Sequence, residues 1–208
     1  MDRTELSDGV VLLRPPTPDD VDLITEACQD PEIRAWVSVP DPYRREHAEG
    51  FLTGVVDPGW ERGTELTWAI RDAGSLGLLG MIGLHGVAHR SAEIGYWVAP
   101  WARRRGHLQR AVDLVLDHAF DPGGLDLVRV GWEAYVGNWP SRRVAWRVGF
   151  RIEGTVRLHA VQREGVRRDA WLGTLLRGDP RAPNEPWPAD APPAATSTGG
   201  RESGRIGR

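Results

Sequence analysis

The apolar positions of this chain recur with two periods, and the switches between them lay out its elements. Val10-Val11-Leu12-Leu13-Arg14 is a short apolar run closed by Pro15 and Pro16, which predicts a first strand over 10–14. Thr17-Pro18-Asp19-Asp20 has the chemistry of a helix start: a hydroxyl that can cap, a proline suited to the first turn, and carboxylates favoured at the positive end. Val21, Ile24, Ala27 and Cys28 then fall on one helical stripe. Two further helices are predicted at 30–36 and 42–56, with Trp36, Tyr43, Phe51 and Trp60 between and after them, around Pro40, Pro42, Pro58 and Gly59. Strand-like runs follow at Leu66–Arg71, Leu78–His85 and Ala92–Val98, the first two parted by the turn Asp72-Ala73-Gly74. The clearest helix spans 104–120, where Leu108, Ala111, Val112, Val115, Leu116 and Ala119 repeat at three- and four-residue steps. A strand at 127–136 comes next, then a helix that Asn138 can cap and Gly149 can end. A hairpin of strands at 150–158 and 167–176 turns about Arg163-Glu164-Gly165. This order predicts an α+β fold with a central mixed sheet. From Gly178 the periodic pattern gives way to Pro, Ala, Gly, Ser and Thr. The organisation therefore reads as one domain over 1–177 and a disordered tail over 178–208.

Composition narrows the class. With 208 residues, 40% hydrophobic and 26% charged, the chain suits a soluble globular domain with a real core. No apolar run approaches the about 18 residues of a membrane span, so no membrane association is expected. The opening MDRTELSDG is acidic and lacks the apolar core of a secretory signal. The one cysteine, Cys28, allows no intramolecular disulfide and reads as a core thiol. A reducing, cytoplasmic location is expected. His85 and His89 form an H-x-x-x-H pair, but it follows a strand-like run and encloses Gly86, so no metal site is expected.

Charge adds an asymmetry. All 26 basic residues are arginine. Residues 1–97 carry 17 acidic groups against 8 arginines, whereas 98–177 carry 8 against 14. The basic half suits a phosphate-bearing ligand and the acidic half a cationic one, although two halves of opposite sign can also simply attract each other within a fold. The segment Val98 to Leu108, V-A-P-W-A-R-R-R-G-H-L, makes the first reading specific. It leads from a strand into the long helix, whose first amides lack internal partners and whose dipole is positive there. A diphosphate is well bound at such a place. Gly106 removes a Cβ from its path, and Arg103, Arg104 and Arg105 add charge; the bland alternative is a solvated surface.

The ordered set of motifs from about residue 10 to 176 resembles the GNAT acyltransferase superfamily, in its RimJ/RimL-type branch of ribosomal-protein N-acetyltransferase-like enzymes. Ala92-Glu93-Ile94-Gly95-Tyr96-Trp97-Val98-Ala99-Pro100 matches that family's A-E-I-G-Y-W-L-x-P strand. Arg103-x-x-Gly106 follows at the spacing of the R/Q-x-x-G-x-G/A pyrophosphate loop. Asn138-x-x-Ser141-Arg142-Arg143-Val144, then Gly149-Phe150, matches N-x-x-S-x-x-V…G-F. Glu153-Gly154 and the run from Asp169 to Leu176 match the closing E-G…D…S-L-L, with Thr174 for Ser. Leu13-Arg14 and Thr17-Pro18-Asp19-Asp20 resemble the opening strand and helix. Leu108 departs from the pattern, standing where the family has Gly or Ala: its side chain either joins the apolar register of the helix or narrows the phosphate site.

The resemblance implies a central, mixed, mostly antiparallel twisted sheet flanked by helices. It implies acetyl-CoA, or another acyl-CoA, as co-substrate, with no metal. The thioester would lie between two splayed strands at 92–98 and 127–136, contacted by Trp97 and Val98, with the Arg103–Leu108 loop, His107 included, on the diphosphate. Asn138 is implied at the pantetheine arm and Ser141 as the acid toward the CoA sulfur. Glu93, or second Glu133, is the candidate base for the amine. Each has an ordinary reading too: strand glutamates facing solvent, a helix-start serine, an N-cap asparagine. Arg142 and Arg143 either reach CoA phosphates or form a solvated helix face; Tyr96 and Trp97 either wall the tunnel or belong to the sheet core. The implied activity is N-acyl transfer, most simply acetyl, to a primary amine on a protein N-terminus, a lysine or a small cationic molecule. The acidic, aromatic region 18–65 would line the acceptor side. The alternative is a non-catalytic acyl-CoA-binding or regulatory module of the same fold. Nucleic acid is not an expected partner, and self-association into a homodimer is left open.

Overall fold

A computed structural model describes residues 3–192 of the protein. Its centre is an eight-stranded sheet of order β1-β2-β3-β4-β5-β6-β8-β7. The strands are β1 (Leu6–Ser7), β2 (Val11–Arg14), β3 (Leu66–Asp72), β4 (Leu78–Ala88), β5 (Ser91–Val98), β6 (Arg129–Tyr135), β7 (Arg151–Val161) and β8 (Arg167–Leu176). Every neighbouring pair is antiparallel except β5 and β6. The α+β architecture and mostly antiparallel mixed sheet are those expected from the sequence. Only β1 was not legible there, since two residues carry no period.

The helices are α1 (Val21–Ala27), α2 (Pro31–Trp36), α3 (Arg45–Phe51), α4 (Asp57–Arg62), α5 (His107–Phe120) and α6 (Trp139–Arg147). The stripe of α1 is buried as its pattern predicts, and α5 buries Ala111, Val112, Val115, Leu116 and Ala119. α5 packs on β2, β3, β4 and β6, and α6 packs on β6. β3 and the first half of β4 are covered on both faces, which explains their unbroken apolar runs. Two buried tryptophans lock α4 to β3: Trp60 and Trp68 meet edge to face at 5.1 Å, and the Trp60 indole N–H donates to the Thr67 carbonyl. Among the described residues, no helix is long and apolar enough to cross a membrane.

Three boundaries differ from the expectation. The helix placed at 42–56 starts at Arg45 and runs through a π turn, Leu52–Val56, into α4, ending at Gly63 with a left-handed backbone. Pro58 sits in the first turn of α4, directly after the π turn. The helix placed at 104–120 starts at His107, because Arg104 and Gly106 take positive φ.

The third difference concerns the tail. Residues 178–192, expected to be disordered, lie along α5 and α6. Arg181 pairs with Asp113 and Asp117 of α5, and the Trp146 indole N–H donates to the Glu185 carbonyl at 2.7 Å. Asn184 donates to the Gly149 carbonyl, and Trp187 packs edge to face on Trp146. A composition rich in proline hid the segment because its anchors are isolated side chains rather than a periodic face. Residues 193–208 of the expected tail lie outside the described residues.

Candidate active site

The site begins where pairing stops. β5 and β6 are in parallel register from Ser91↔Arg129 to Ile94↔Trp132 and no further. Yet β5 stays paired with β4 to Val98, and β6 with β8 to Tyr135. The two strands therefore diverge beyond Ile94 and Trp132. The backbone groups of Gly95–Val98 that point away from β4 face a gap instead of a strand. A cavity of about 370 Å³ fills this opening, lined among others by Trp36, Glu93, Tyr96, Trp132, Glu133 and Ser141. The family resemblance implied a splayed pair at these positions, and the register has that form.

One end of the cavity is acidic. Glu93 and Glu133 stand on adjacent strands, each pointing to the face that holds Gly95 and Gly131. Water reaches Glu93 along the cleft, but the walls crowd its carboxyl. That desolvation first, and repulsion from Glu133 second, hold the carboxyl above the usual carboxylate range; His85, Arg129 and His159 pull it the other way. Glu133 lies 3.4 Å from the His159 imidazole.

The opposite face of the two strands, which carries Tyr96 and Trp132, holds a hydroxyl network. Asn138 caps α6 by accepting the Ser141 amide N–H at 3.2 Å, its ordinary role. That cap turns the Ser141 hydroxyl toward the cavity. The Trp132 indole N–H donates to Ser141 Oγ at 3.1 Å, Ser141 Oγ donates to the Tyr96 hydroxyl at 3.3 Å, and Tyr96 donates to the Ser141 carbonyl at 3.2 Å. Burial pushes the Tyr96 hydroxyl up to about 12, so it stays protonated. Trp97 is half-buried and packs on the core.

The loop before α5 keeps its expected form and loses some of its expected charge. Gly106 has φ +79°, a left-handed backbone that disfavours a side chain, although a Cβ there would meet nothing within 4 Å. Without a side-chain cap, the first amides of α5, from His107 onward, are open. Leu108 is partly buried and packs against the core, in line with its helical register. Arg103, expected at the diphosphate, is instead paired with Asp30 and Glu32 at the start of α2. Arg104 and Arg105 are exposed, and neither has an ion pair among the described residues. Arg142 and Arg143, expected at phosphates or in solvent, stack on tryptophans. Arg142 lies 4.5 Å from the Trp171 ring centre and Arg143 lies 4.4 Å from that of Trp187.

Of the aromatics expected on the acceptor side, only Trp36 lines the cavity. Tyr43 and Trp60 are core residues and Phe51 packs on the core. Cys28 is buried, and burial pushes its thiol up to about 12, which disarms it as a nucleophile. Sequence reasoning missed His85, Glu65 and His159. His85 was weighed only as a metal ligand. Its position directly opposite Glu93 is a matter of β4–β5 register, which no motif carries.

Comparison with known proteins agrees with this geometry. Residues 11–151 match the acetyltransferase (GNAT) domain family. The chain is 27% identical over 154 residues to the uncharacterized N-acetyltransferase YoaA of Bacillus subtilis, covering 73% of this chain and 85% of that protein. It is 43% identical over 102 residues to another protein of that organism, named "Putative ribosomal N-acetyltransferase YdaF", covering 48% of this chain and 54% of the relative. Among solved structures, Mycobacterium smegmatis RimJ in complex with CoA-disulfide aligns with a TM-score of 0.73 at 26% identity, covering 84% of this chain and 86% of that one. The family match spans well over half the chain and includes β5, the loop before α5, and α6. The chain belongs to the GNAT acetyltransferase family.

Proposed function

We propose that the protein transfers an acetyl group from acetyl-CoA to the primary amine of a cationic acceptor by direct attack. The observation that carries this reading is the opening between β5 and β6, lined by two carboxylates from one face of the strands and a hydrogen-bonded hydroxyl from the other. The RimJ structure with a CoA compound supports the donor class. The unpaired edge of β5 from Gly95 to Val98 offers main-chain donors to a thioester carbonyl, and the open amides of α5 with Arg104 and Arg105 offer a seat for the diphosphate.

Glu93 and Glu133 attract an ammonium group; Trp36 lines the same cavity, its ring already stacked by Arg168 at 5.3 Å. Glu93 takes the ammonium proton directly or through water, freeing the lone pair for attack. Collapse of the tetrahedral intermediate breaks the C–S bond, releasing a thiolate and leaving one surplus proton on the acylated nitrogen; Ser141 gives its hydroxyl proton to the thiolate and regains one from that nitrogen through water, so the amide and the free thiol are both neutral. The Trp132 N–H on Ser141 Oγ favours that step, because a donor on the oxygen stabilises the charge left behind. Leu108 was the one sequence feature favouring a non-catalytic module, and it packs in the core. Acceptors that fit are a protein N-terminus, a lysine or a small cationic amine; the ribosomal assignment of a relative favours the first.

The base is tested by pairing two isosteric variants. Glu93→Gln should lose on the order of 10²–10⁴-fold in turnover. The loss should shrink as pH rises and more acceptor is already neutral. Glu133→Gln should mainly raise the acceptor KM. The reverse pattern would move the base to β6.

A further inference from the structure

At the acidic end of the cavity, the residue facing Glu93 across the β4–β5 ladder is His85. The geometry points to a proton relay in which His85, oriented by Glu65, takes the proton that Glu93 removes from the acceptor amine and passes it to solvent. This rests on the acyl-transfer reading above.

Glu65 stands immediately before β3, and its two carboxylate oxygens are both engaged. Oε1 accepts the Gly86 amide N–H at 3.0 Å, and Oε2 lies 2.8 Å from His85 Nδ1. The backbone bond fixes the carboxylate, and the carboxylate fixes the ring. In the neutral imidazole, Nδ1 then carries the hydrogen and Nε2 carries the free lone pair. The Nε2 edge of the ring lies against Gly83 and Gly95. A Cβ on Gly95 would come within 3.0 Å of Nε2, and one on Gly83 within 3.2 Å of the ring. Two glycines on facing strands therefore make the bed for this imidazole, and its basic nitrogen lies over β5 in the cavity. His85 is half-exposed, so its far side reaches water.

The pairing with Glu93 follows from register. Directly opposite residues of an antiparallel ladder hold their Cβ atoms about 4.5–5.5 Å apart, close enough for a carboxyl and an imidazole to exchange a proton directly or through one water. The other charged groups facing this spot are Glu133 and Arg129 on β6 and His159 on β7. Together with Glu65 and Glu93 they make up the charged surroundings of the ring.

The steps balance. An N–H bond of the bound ammonium breaks as an O–H bond forms on Glu93, leaving a neutral amine. The Glu93 O–H then breaks as N–H forms on His85 Nε2, which restores the carboxylate and makes an imidazolium. That N–H breaks to water, and the site is ready for the next acceptor. An imidazole is matched to this work because its ordinary value, about 6.5, lies closer to neutral pH than that of a carboxylate. Glu93 touches the substrate; His85 and Glu65 act through it.

The test is turnover against pH at saturating acetyl-CoA and acceptor amine, for wild type, His85→Asn and Glu65→Gln, with acetyl-CoA affinity measured on each. In wild type, turnover should fall on the acid side with a single midpoint. His85→Asn should lower turnover about 10²-fold and move that midpoint into the carboxylate range, with acetyl-CoA affinity unchanged. Glu65→Gln retains the ring and loses the charge that favours imidazolium, so the midpoint should move down while His85 is still present. Nitrogen-15 spectra of the free wild-type protein should show neutral His85 protonated on Nδ1. Wild-type turnover with an unchanged His85→Asn profile, or His85 protonated on Nε2, overturns the relay alone. Absence of wild-type turnover with any primary amine overturns the acyl-transfer reading, and the relay with it.

Discussion

Ser141 shows most plainly how one residue serves two ends here. Its amide completes the α6 cap and its hydroxyl lies between Trp132 and Tyr96. Ser141→Ala retains the amide and the cap, so the fold should survive. Turnover should fall while acetyl-CoA affinity changes little, because proton donation matters in the transition state. Steady-state kinetics beside calorimetric titration separates the two, and unchanged turnover would reduce Ser141 to a cap residue. Glu93 carries the complementary cost. Its folded-state pKa is raised, so a stability penalty is absent at acid pH, builds as pH rises through the unfolded and then the folded value, and is complete above both. Glu93→Gln should therefore melt higher than wild type at neutral pH and show no advantage near pH 3, about a unit below the unfolded carboxylate value. Thermal melts at both pH values check this, and an equal gain at both would assign the effect to something other than ionisation. Motif spacing singled out Glu93, Asn138 and Ser141, and the structure brings them to one cavity. His85 was not legible as part of the site, because its meaning depends on which strand lies beside it.

At the level of elements, periodic segments read well and aperiodic ones did not. The α5 stripe and the β3–β4 runs announce themselves, since each must bury a face or both faces. The segment 178–192 has no period, yet it spans α5 and α6 through Arg181, Asn184 and Trp187. Both helices serve the site: α5 presents its open amides and α6 presents Ser141. Gly149, with φ +96°, has the Pro180 carbonyl 2.3 Å from where a Cβ would stand, so the strap lies directly on the end of α6. Trp187→Ala removes a ring that touches Trp139, Trp146 and Arg143. Truncating a large half-buried aromatic should cost about 1–3 kcal/mol, less than a fully buried one. Chemical denaturation should show a lower midpoint with an unchanged slope; equal stability would make the strap a passive tail. The arginines teach a related lesson. Composition showed an excess of positive charge in the C-terminal half, but Arg103, Arg142 and Arg143 are engaged with carboxylates and rings. Charge counted along a sequence says nothing of which guanidinium is already partnered.

At the level of the whole molecule, the fold follows from ordered motifs, and the site follows from one topological event, the divergence of β5 and β6 after Ile94↔Trp132. A parallel pair inserted in an otherwise antiparallel sheet opens a gap with unpaired main-chain groups along β5, lined by carboxylates from one face and hydroxyls from the other. The acceptor stays the least legible part. The region 18–65 read as acidic and aromatic, but its rings mostly fill the core, and only Trp36 reaches the cavity. The central claim is that this cavity joins an acetyl thioester to a primary amine. The most direct test is release of free thiol from acetyl-CoA by the full chain across a panel of protein N-terminal peptides, lysine peptides and small cationic amines, with the acetylated product identified by mass. The account predicts amine-dependent thiol release with an acetyl group on the acceptor nitrogen. Tight acetyl-CoA binding with no release above the amine-free background, for every member of the panel, would contradict it.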